Sequence, residues 1–289
     1  MRQVEIAPAK LNLALRVLGK RDDGFHEIET IMVVVKGVAD RLTFDLEVGG
    51  SGDIELDCSD PDLQADESNL VMRALRVFEA AANLRFCGRI HVEKLIPSGA
   101  GLGGGSSDAA ATLRALDAVT GSELGSARLR ELAAEIGSDV PFFVRGQPAL
   151  CRGRGEIIEP LKAEIPATNV VLAKPGFGVP SAWAYSRWAD SEELLGVSYG
   201  SQTAPWGDAV NDLERPVFEK YLVLPVLKAW LGGRPETSMA MMSGSGATVF
   251  ATLRDGEDGT DLLRDLRQEF GDRTWATAAA IGSDPNPAT

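Results

Sequence analysis

The stretch GAGLGGGSSDAAA, Gly99 to Ala111, places five glycines within seven residues directly before a helix-forming run. No other part of the chain restricts its own folding so sharply. Residues without a Cβ lose the most conformational freedom on folding, so such a run persists where main chain must pass close to something. The unbonded N–H groups of a helix start, backed by the helix dipole, favour an anion. The hydroxyls of Ser106 and Ser107 suit a phosphate oxygen or Mg2+, and the Asp108 carboxylate suits a metal or its water. The plainer reading is a turn that lets a helix pack closely on a sheet.

Gly99, Gly101 and Gly104 satisfy G-x-G-x-x-G, so a nicotinamide or flavin dinucleotide enters as one class of ligand. The context argues against it: Pro97 separates the loop from the preceding strand, and the region before it reads as antiparallel. A Walker A loop is excluded, because no Lys occurs between Gly99 and Ala111. The formal net charge of -13 opposes a nucleic-acid partner, so a phosphorylated ligand must be gripped locally by amides, a metal ion and a few basic side chains.

A chain of 289 residues has room for about two domains, and 44% hydrophobic with 25% charged residues is an ordinary globular composition. Cys58, Cys87 and Cys151 lack the paired spacing of a zinc site and are odd in number for disulfides. No set of residues is assigned as metal ligands. The segment MRQVEIAPAK has no apolar signal core, and no run reaches the ~20 apolar residues that cross a bilayer. The expected location is the cytoplasm, without membrane contact.

The first third reads as strands. In KLNLALRVL the residues Leu11, Leu13, Leu15 and Val17 alternate with Lys10, Asn12, Ala14 and Arg16, which puts Lys10 and Asn12 together on the wetter face, roughly 7 Å apart. KRDDGFHE supplies a turn, EIETIMVVV a returning strand, and DRLTFDLEV and DIELD extend an antiparallel sheet. Ser68 is the expected cap of a helix through NLVMRALRVFEAAAN. Helices follow from about Ser106 to Val119 and from Ala127 to Ile136, the second capped by Ser126 and stopped by Gly137. After the break AEIPATN come strand-like NVVLAK, helices around Asn211 to Lys220 and Pro225 to Leu231, strand-like ATVFATL, a helix near Asp261 to Phe270 and a last strand near Trp275. The tail GSDPNPAT is expected to fray.

Three separated stretches, PAKLNLAL from Pro8, IPSGAGLGGGSSDAAA from Ile96 and MMSGSGATVFA from Met241, together resemble the motifs of the GHMP kinase superfamily. Their order and spacing match as well. RDDGFHEIET, GSDVPFFVRGQPALCRGRGE, KPGFGVPSAWAY and NDLERPVF are similar to segments of the branch that acts on a cytidyl diphosphate polyol, so the resemblance covers nearly the whole chain. It implies an α+β, two-domain GHMP kinase fold: an N-terminal ATP-binding α+β domain over residues 1–163, a C-terminal α/β sandwich over 164–289, and the active site in the cleft between. The implied reaction moves the γ-phosphoryl of ATP, with Mg2+, to the 2-hydroxyl of 4-diphosphocytidyl-2-C-methyl-D-erythritol in the non-mevalonate route to isoprenoid precursors. The expected partners are these small molecules, with the protein as monomer or homodimer.

Carried over by position, the resemblance makes Asp139 of GSDVPFF the base and Lys10 its cationic partner. A Lys at about 4 Å would interact by roughly 4 kcal/mol at an effective dielectric of 20, enough to keep the carboxylate ionised. Read from the residues alone, Asp139 is a helix cap ahead of Pro141 and Lys10 a solvated strand residue, and only the matched motifs reverse that. Asn12 is expected on the substrate. Phe25 and His26 are expected at cytosine, by stacking and by hydrogen bonding, and Phe25 stands where the family usually has Tyr, so it keeps the face and lacks the hydroxyl. Tyr185 matches the second aromatic wall, with Trp183 and Trp188 as neighbouring candidates. The ATP-binding set is Asn69, Leu70, Lys94, Pro97, Gly99, Gly101, Leu102, Gly103, Gly104, Gly105, Ser106, Ser107 and Asp108, and Gly244 and Ser245 of the third motif buttress the loop. Other GHMP acceptors (homoserine, mevalonate, a sugar), a nicotinamide oxidoreductase and an RNA-binding module are the competing readings.

Overall fold

The computed structural model describes residues 2–49, 53–61, 63–122 and 124–282. The GSDPNPAT tail therefore lies, from residue 283 on, outside the described residues. In chain order the elements are β1 (Arg2–Lys20), β2 (His26–Val48), β3 (Ile54–Cys58), α1 (Leu70–Ala82), β4 (Phe86–Glu93), α2 (Gly104–Thr120), α3 (Gly125–Ile136), α4 (Val140–Phe143), β5 (Ala149–Gly153) and β6 (Ile157–Pro160). They continue with β7 (Thr168–Lys174), α5 (Ser181–Arg187), β8 (Gln202–Ala204), β9 (Gly207–Ala209), α6 (Glu214–Lys220), α7 (Val223–Gly232), β10 (Thr237–Met242), β11 (Val249–Leu253), α8 (Thr260–Phe270) and β12 (Trp275–Ile281). The α+β class holds. Among the described residues no helix is long and apolar enough to cross a membrane.

Two compact units form, one from residues 1–9, 38–97 and 103–147, the other from 10–37, 98–102 and 148–289. Both are discontinuous because β1 and β2 each belong partly to one and partly to the other. The expected 163/164 boundary falls inside the second unit, whose last segment runs over 148–289.

In the first unit the second half of β2 pairs antiparallel with β4 from Arg41↔Glu93 to Val48↔Phe86, and its inward residues Leu42, Phe44 and Leu46 are buried. The segment DIELD departs from expectation: β3 runs parallel to β4, from Ile54↔Gly88 to Cys58↔Val92. The reason is the connection, since α1 carries the chain back between them as a β-α-β crossover. The cap of α1 is Asn69, whose side chain accepts from the Val71 N–H at 3.0 Å, while the Ser68 hydroxyl turns to Asp66. α1 buries Val71, Met72, Leu75 and Phe78, with the Phe78 ring 6.3 Å from that of Phe86. α2 begins at Gly104, two residues before Ser106, and Ala109, Ala110 and Ala111 on its buried face allow close approach to α1. α3 starts at Gly125 without a side-chain cap, and ends at Gly137 as expected.

In the second unit β7 lies between β11 and β12, antiparallel to both, with Val171 opposite Ala251 on one side and Ala278 on the other. β10 extends this sheet beyond β11, and β12 meets β2 at Ala280↔Lys36. α7 packs on β10 and β11 and α8 on β12, closing a core that includes Val171, Phe218, Leu227, Leu231, Val249 and Leu266. The first half of β2 pairs antiparallel with β5, Ile28↔Gly153 to Met32↔Ala149, and β5 continues to β6. The period-two reading of β1 is right in outline but wrong about its wet face: Lys10 and Asn12 are each only 3% exposed.

Candidate active site

In the second unit, residues from all three sequence-distant motifs interlock at one carbonyl. The Lys10 ammonium donates to the Gly101 carbonyl at 2.8 Å, and the Ser243 hydroxyl donates to the same oxygen at 3.0 Å. Main-chain bonds run alongside: Lys10 N–H to Leu102 carbonyl at 2.9 Å, Thr248 N–H to Ala100 carbonyl at 3.1 Å and Ala247 N–H to Gly99 carbonyl at 3.3 Å. This is why the Lys10 and Asn12 face is buried: it is covered by other motifs rather than by water. Lys10 also donates to the Asn12 side-chain oxygen, whose amide nitrogen donates to Thr30 Oγ1 at 2.8 Å, and Thr30 donates on to the Ala14 carbonyl. Asn12 is thereby fixed in one amide orientation.

Gly101 has φ +73°, and a Cβ there would fall 2.2 Å from the Ser243 carbonyl oxygen, so glycine is required both by conformation and by space. A Cβ on Gly244 would lie 3.1 Å from both the Lys10 ammonium and the Asn12 side-chain oxygen. Ser245 exchanges a 2.7 Å hydrogen bond with Ser181, the first residue of α5. The third motif thus braces the loop and the lysine together.

The first unit holds the rest of the loop. Gly103, at φ 72°, precedes α2, and among the described residues no side chain caps that helix, an arrangement of first-turn amides that suits an anion. Beneath them is a buried cluster. The Lys94 ammonium lies 2.7 Å from Asp108 Oδ2 and also contacts Asp40, whose Oδ1 accepts the N–H groups of Leu95 and Ile96 at 2.6 and 2.8 Å. A Cβ on Gly104 would meet the Ile96 side chain at 3.1 Å and the Lys94 ammonium at 3.3 Å. Burial, with Asp40 adding to it and Lys94 opposing, pushes the Asp108 carboxyl up to about 7. The Lys94 ammonium is held above its ordinary value by Asp108 and Asp40 against its own burial.

Ser107 Oγ and Asp108 Oδ1 are buried with no hydrogen-bond partner among the described residues. Buried polar atoms are nearly always partnered, so these two mark a place where a further group belongs. Oxygen-only donors including one carboxylate fit Mg2+, which keeps several waters and leans on substrate phosphates rather than on a full protein cage.

Asn69 and Leu70 stand at the start of α1, and the Leu70 methyl is the nearest atom, at 3.4 Å, to a Cβ placed on Gly105. Asp139 precedes α4, but its side chain makes no capping bond to that helix, which removes the plain cap reading.

The aromatic residues fall in the second unit. His26 and Tyr185 stack with ring centroids 5.5 Å apart and an interplanar angle of 27°, and Trp188 meets His26 edge-on at 6.2 Å. Trp183 turns instead to Tyr221 and to the Lys220 ammonium, 4.3 Å from its ring. Burial, then the nearby Lys20 charge, lowers the His26 pKa below 6.5. Phe25 is 49% exposed and carries the Arg154 guanidinium over one face, 4.7 Å from the ring centroid.

Asp40, Thr30, Ser243, Gly178 and Arg154 are the contributors that sequence reasoning missed. Asp40 had a signal: it stands in phase with Val38, Leu42 and Phe44, a carboxylate on the apolar stripe of a strand.

Comparison with known proteins gives the family. Residues 69–147 match the family described as GHMP kinases N terminal domain. The chain is 40% identical over 274 residues to a 4-diphosphocytidyl-2-C-methyl-D-erythritol kinase of Methylacidiphilum infernorum (isolate V4), covering 93% of each chain. It is 36% identical to the protein of the same name in Synechococcus sp. (strain JA-2-3B'a(2-13)), covering 95% of this chain and 93% of the other. A crystal structure of 4-(cytidine 5'-diphospho)-2C-methyl-D-erythritol kinase superposes with a TM-score of 0.73 at 34% identity, over 98% of this chain and 100% of that one. A homoserine kinase from Cytophaga hutchinsonii shares the fold, with a TM-score of 0.67 at 17% identity.

Proposed function

This chain belongs to the 4-diphosphocytidyl-2-C-methyl-D-erythritol kinase family of GHMP kinases, and from that premise we propose how its residues perform the family's reaction. It transfers the γ-phosphoryl group of ATP to the 2-hydroxyl of 4-diphosphocytidyl-2-C-methyl-D-erythritol, in the non-mevalonate route to isoprenoid precursors. It acts on small molecules, in the cytoplasm, as a monomer or homodimer, with residues 1–163 as its nucleotide-binding domain and 164–289 as its second domain.

The observation that carries the reading is the meeting of the three motifs on the Gly101 carbonyl, where a buried lysine is built into the loop that receives phosphates. Phosphoryl transfer has a loose transition state, so the protein's work is alignment and charge stabilisation. The glycine loop and the α2 start hold the nucleotide phosphates through main-chain amides. Lys10 sets positive charge against the group in transit. Asp139 takes the proton of the attacking hydroxyl late in the transfer.

Asn12, fixed by Thr30, orients the polyol, and Asn69, Leu70 and Lys94 line the nucleoside. Phe25 and Tyr185 flank the cytosine ring and His26 reads its edge. Ser107 and Asp108 would hold Mg2+, which would supply neutralisation of phosphate charge.

An assay with ATP and Mg2+ against the cytidyl polyol, homoserine, mevalonate and galactose tests the reading. Turnover of the cytidyl polyol alone is expected. Turnover of another acceptor with none of the cytidyl polyol would replace it.

A further inference from the structure

Arg154 lies near the end of GSDVPFFVRGQPALCRGRGE, where no role was assigned to it, and the fold brings it to Phe25 by sheet register. β2 and β5 are antiparallel with Ile28 opposite Gly153, so residues just before Ile28 lie beside residues just after Gly153. Each side of the meeting is a stiff turn. On one side the Arg21 N–H donates to the Phe25 carbonyl at 2.8 Å and the Phe25 N–H to Asp23 Oδ1 at 3.1 Å.

On the other side Gly153 and Gly155, at φ +71° and +117°, flank Arg154, and the Arg154 N–H donates to Glu156 Oε2 at 2.6 Å. A Cβ on Gly153 would come within 2.9 Å of that carboxylate, so the glycine is what lets Glu156 fold back under the turn. Glu156 also pairs with Arg154 Nε at 3.6 Å, and the Arg154 side chain is only 28% exposed. The guanidinium is thereby directed over the Phe25 ring.

We propose that Arg154 is a specificity-determining residue for the acceptor: its guanidinium covers one face of Phe25 and holds the ring so that the opposite face meets a pyrimidine. The inference rests on the acceptor carrying a cytidyl group. An aromatic ring has two faces, and a half-exposed phenylalanine with neither backed is free to change rotamer when a base approaches. A planar cation stacked behind it fixes the ring. Lys at this position would retain charge without the plane. Phe25 lacks the hydroxyl that would let a Tyr be held by a hydrogen bond, which leaves stacking from behind as the means of holding it.

A double-mutant cycle on the full chain tests this, using Arg154→Met, Phe25→Ala and the double variant, with Arg154→Lys alongside. The probe is cytidine diphosphate binding by calorimetry, with the acceptor KM measured in parallel and ATP binding as the control. Arg154→Met is expected to weaken cytidine diphosphate binding about two- to fivefold and ATP binding not measurably, with Arg154→Lys recovering part of the loss. In the Phe25→Ala background the Arg154→Met change is expected to do nothing further. An equal loss with and without Phe25, or no loss at all, overturns the inference. Failure of the unaltered protein to bind any cytidine nucleotide would overturn the functional reading and this inference with it.

Discussion

The Lys94 ammonium lies 2.7 Å from Asp108 Oδ2, beneath the first turn of α2, and both groups are buried. The pair does not fully pay for its burial, because the Asp108 carboxyl is raised from 3.8 to about 7. Between those values the unfolded chain has released the proton that the folded chain retains. Stability contributed by this group is therefore greatest near pH 4 and declines as pH rises toward about 7, by up to roughly 1.4 kcal/mol per pH unit. Asp108→Asn removes the titration. Thermal melts of both proteins from about pH 4.5 to about pH 7.5 are expected to show the unaltered protein losing ground steadily to the variant. A constant gap would mean that Asp108 is ionised throughout.

Asp40 does two jobs that substitutions can separate. Its Oδ1 holds the Leu95 and Ile96 amides at the entry to the loop, and its Oδ2 shares Lys94 with Asp108. Asp40→Asn retains an acceptor for the amides and loses the charge, at an expected cost of about 1–3 kcal/mol. Asp40→Ala takes the acceptor from the Leu95 and Ile96 amides and leaves Lys94 with Asp108 alone, costing about 3–5 kcal/mol. Urea unfolding reads both values, and losses of the same size for the two variants would show that only the charge counts.

Much of the site is legible in the chain because its chemistry is local. A glycine run before a helix names an anion site whatever surrounds it, and a polar residue in phase with an apolar stripe, as at Asp40, announces a buried partner. What the chain does not display is what covers a face. Lys10 and Asn12 alternate with leucines as solvated residues would, and they are buried by Gly101 and Ser243, which come from distant parts of the sequence. The parallel pairing of β3 depends on the crossover through α1, and the approach of Arg154 to Phe25 depends on the β2–β5 register. Neither is a property of the segment concerned.

Gly99 and Gly178 lie against each other. A Cβ on Gly99 would sit 2.9 Å from the Gly178 Cα, and one on Gly178 would sit 3.1 Å from the Gly99 Cα. Gly99 is also at φ +61°, while Gly178 has an ordinary backbone conformation. Gly99→Ala thus meets both a steric and a conformational barrier, and Gly178→Ala only the milder steric one. The expected order in ATP KM is Gly99→Ala highest, Gly178→Ala intermediate and the unaltered protein lowest. Steady-state kinetics with saturating acceptor checks it, and the reverse order would show that the Gly99 contact is unimportant to the loop.

His26 titrates below its ordinary 6.5 because burial, and after it Lys20, disfavours the cation. The folded chain binds that proton less tightly than the unfolded one, so this group's contribution to stability is complete at neutral pH and declines as pH drops below 6.5. The imidazole that faces a base at pH 7 is neutral, with one donor and one acceptor. The acceptor KM is expected to stay flat from neutral pH upward and to rise on acidification, while His26→Gln shows no such rise. A parallel rise in the variant would assign the acid limb to another group.

Asp139 and Lys10 make opposite predictions about ATP, and the difference follows from how each is held. Lys10 is buried, donates to the Gly101 carbonyl and contacts Asn12, so its removal strips a support from the phosphate loop along with a positive charge. Asp139 precedes α4, and its side chain makes no capping bond to that helix. If Asp139 serves the acceptor's proton, Asp139→Asn lowers kcat by about 10²–10⁴-fold, the usual weight of a general base, with nucleotide affinity nearly intact. Lys10→Met lowers kcat and weakens ATP binding together. Single-turnover kinetics combined with titration of a fluorescent ATP analogue separates the two effects. Near-normal turnover in Asp139→Asn would remove it from proton transfer, whereas intact ATP affinity in Lys10→Met would mean that the Gly101 contact does not shape the loop. The pair of results is informative because a general loss of folding would depress both quantities in both variants.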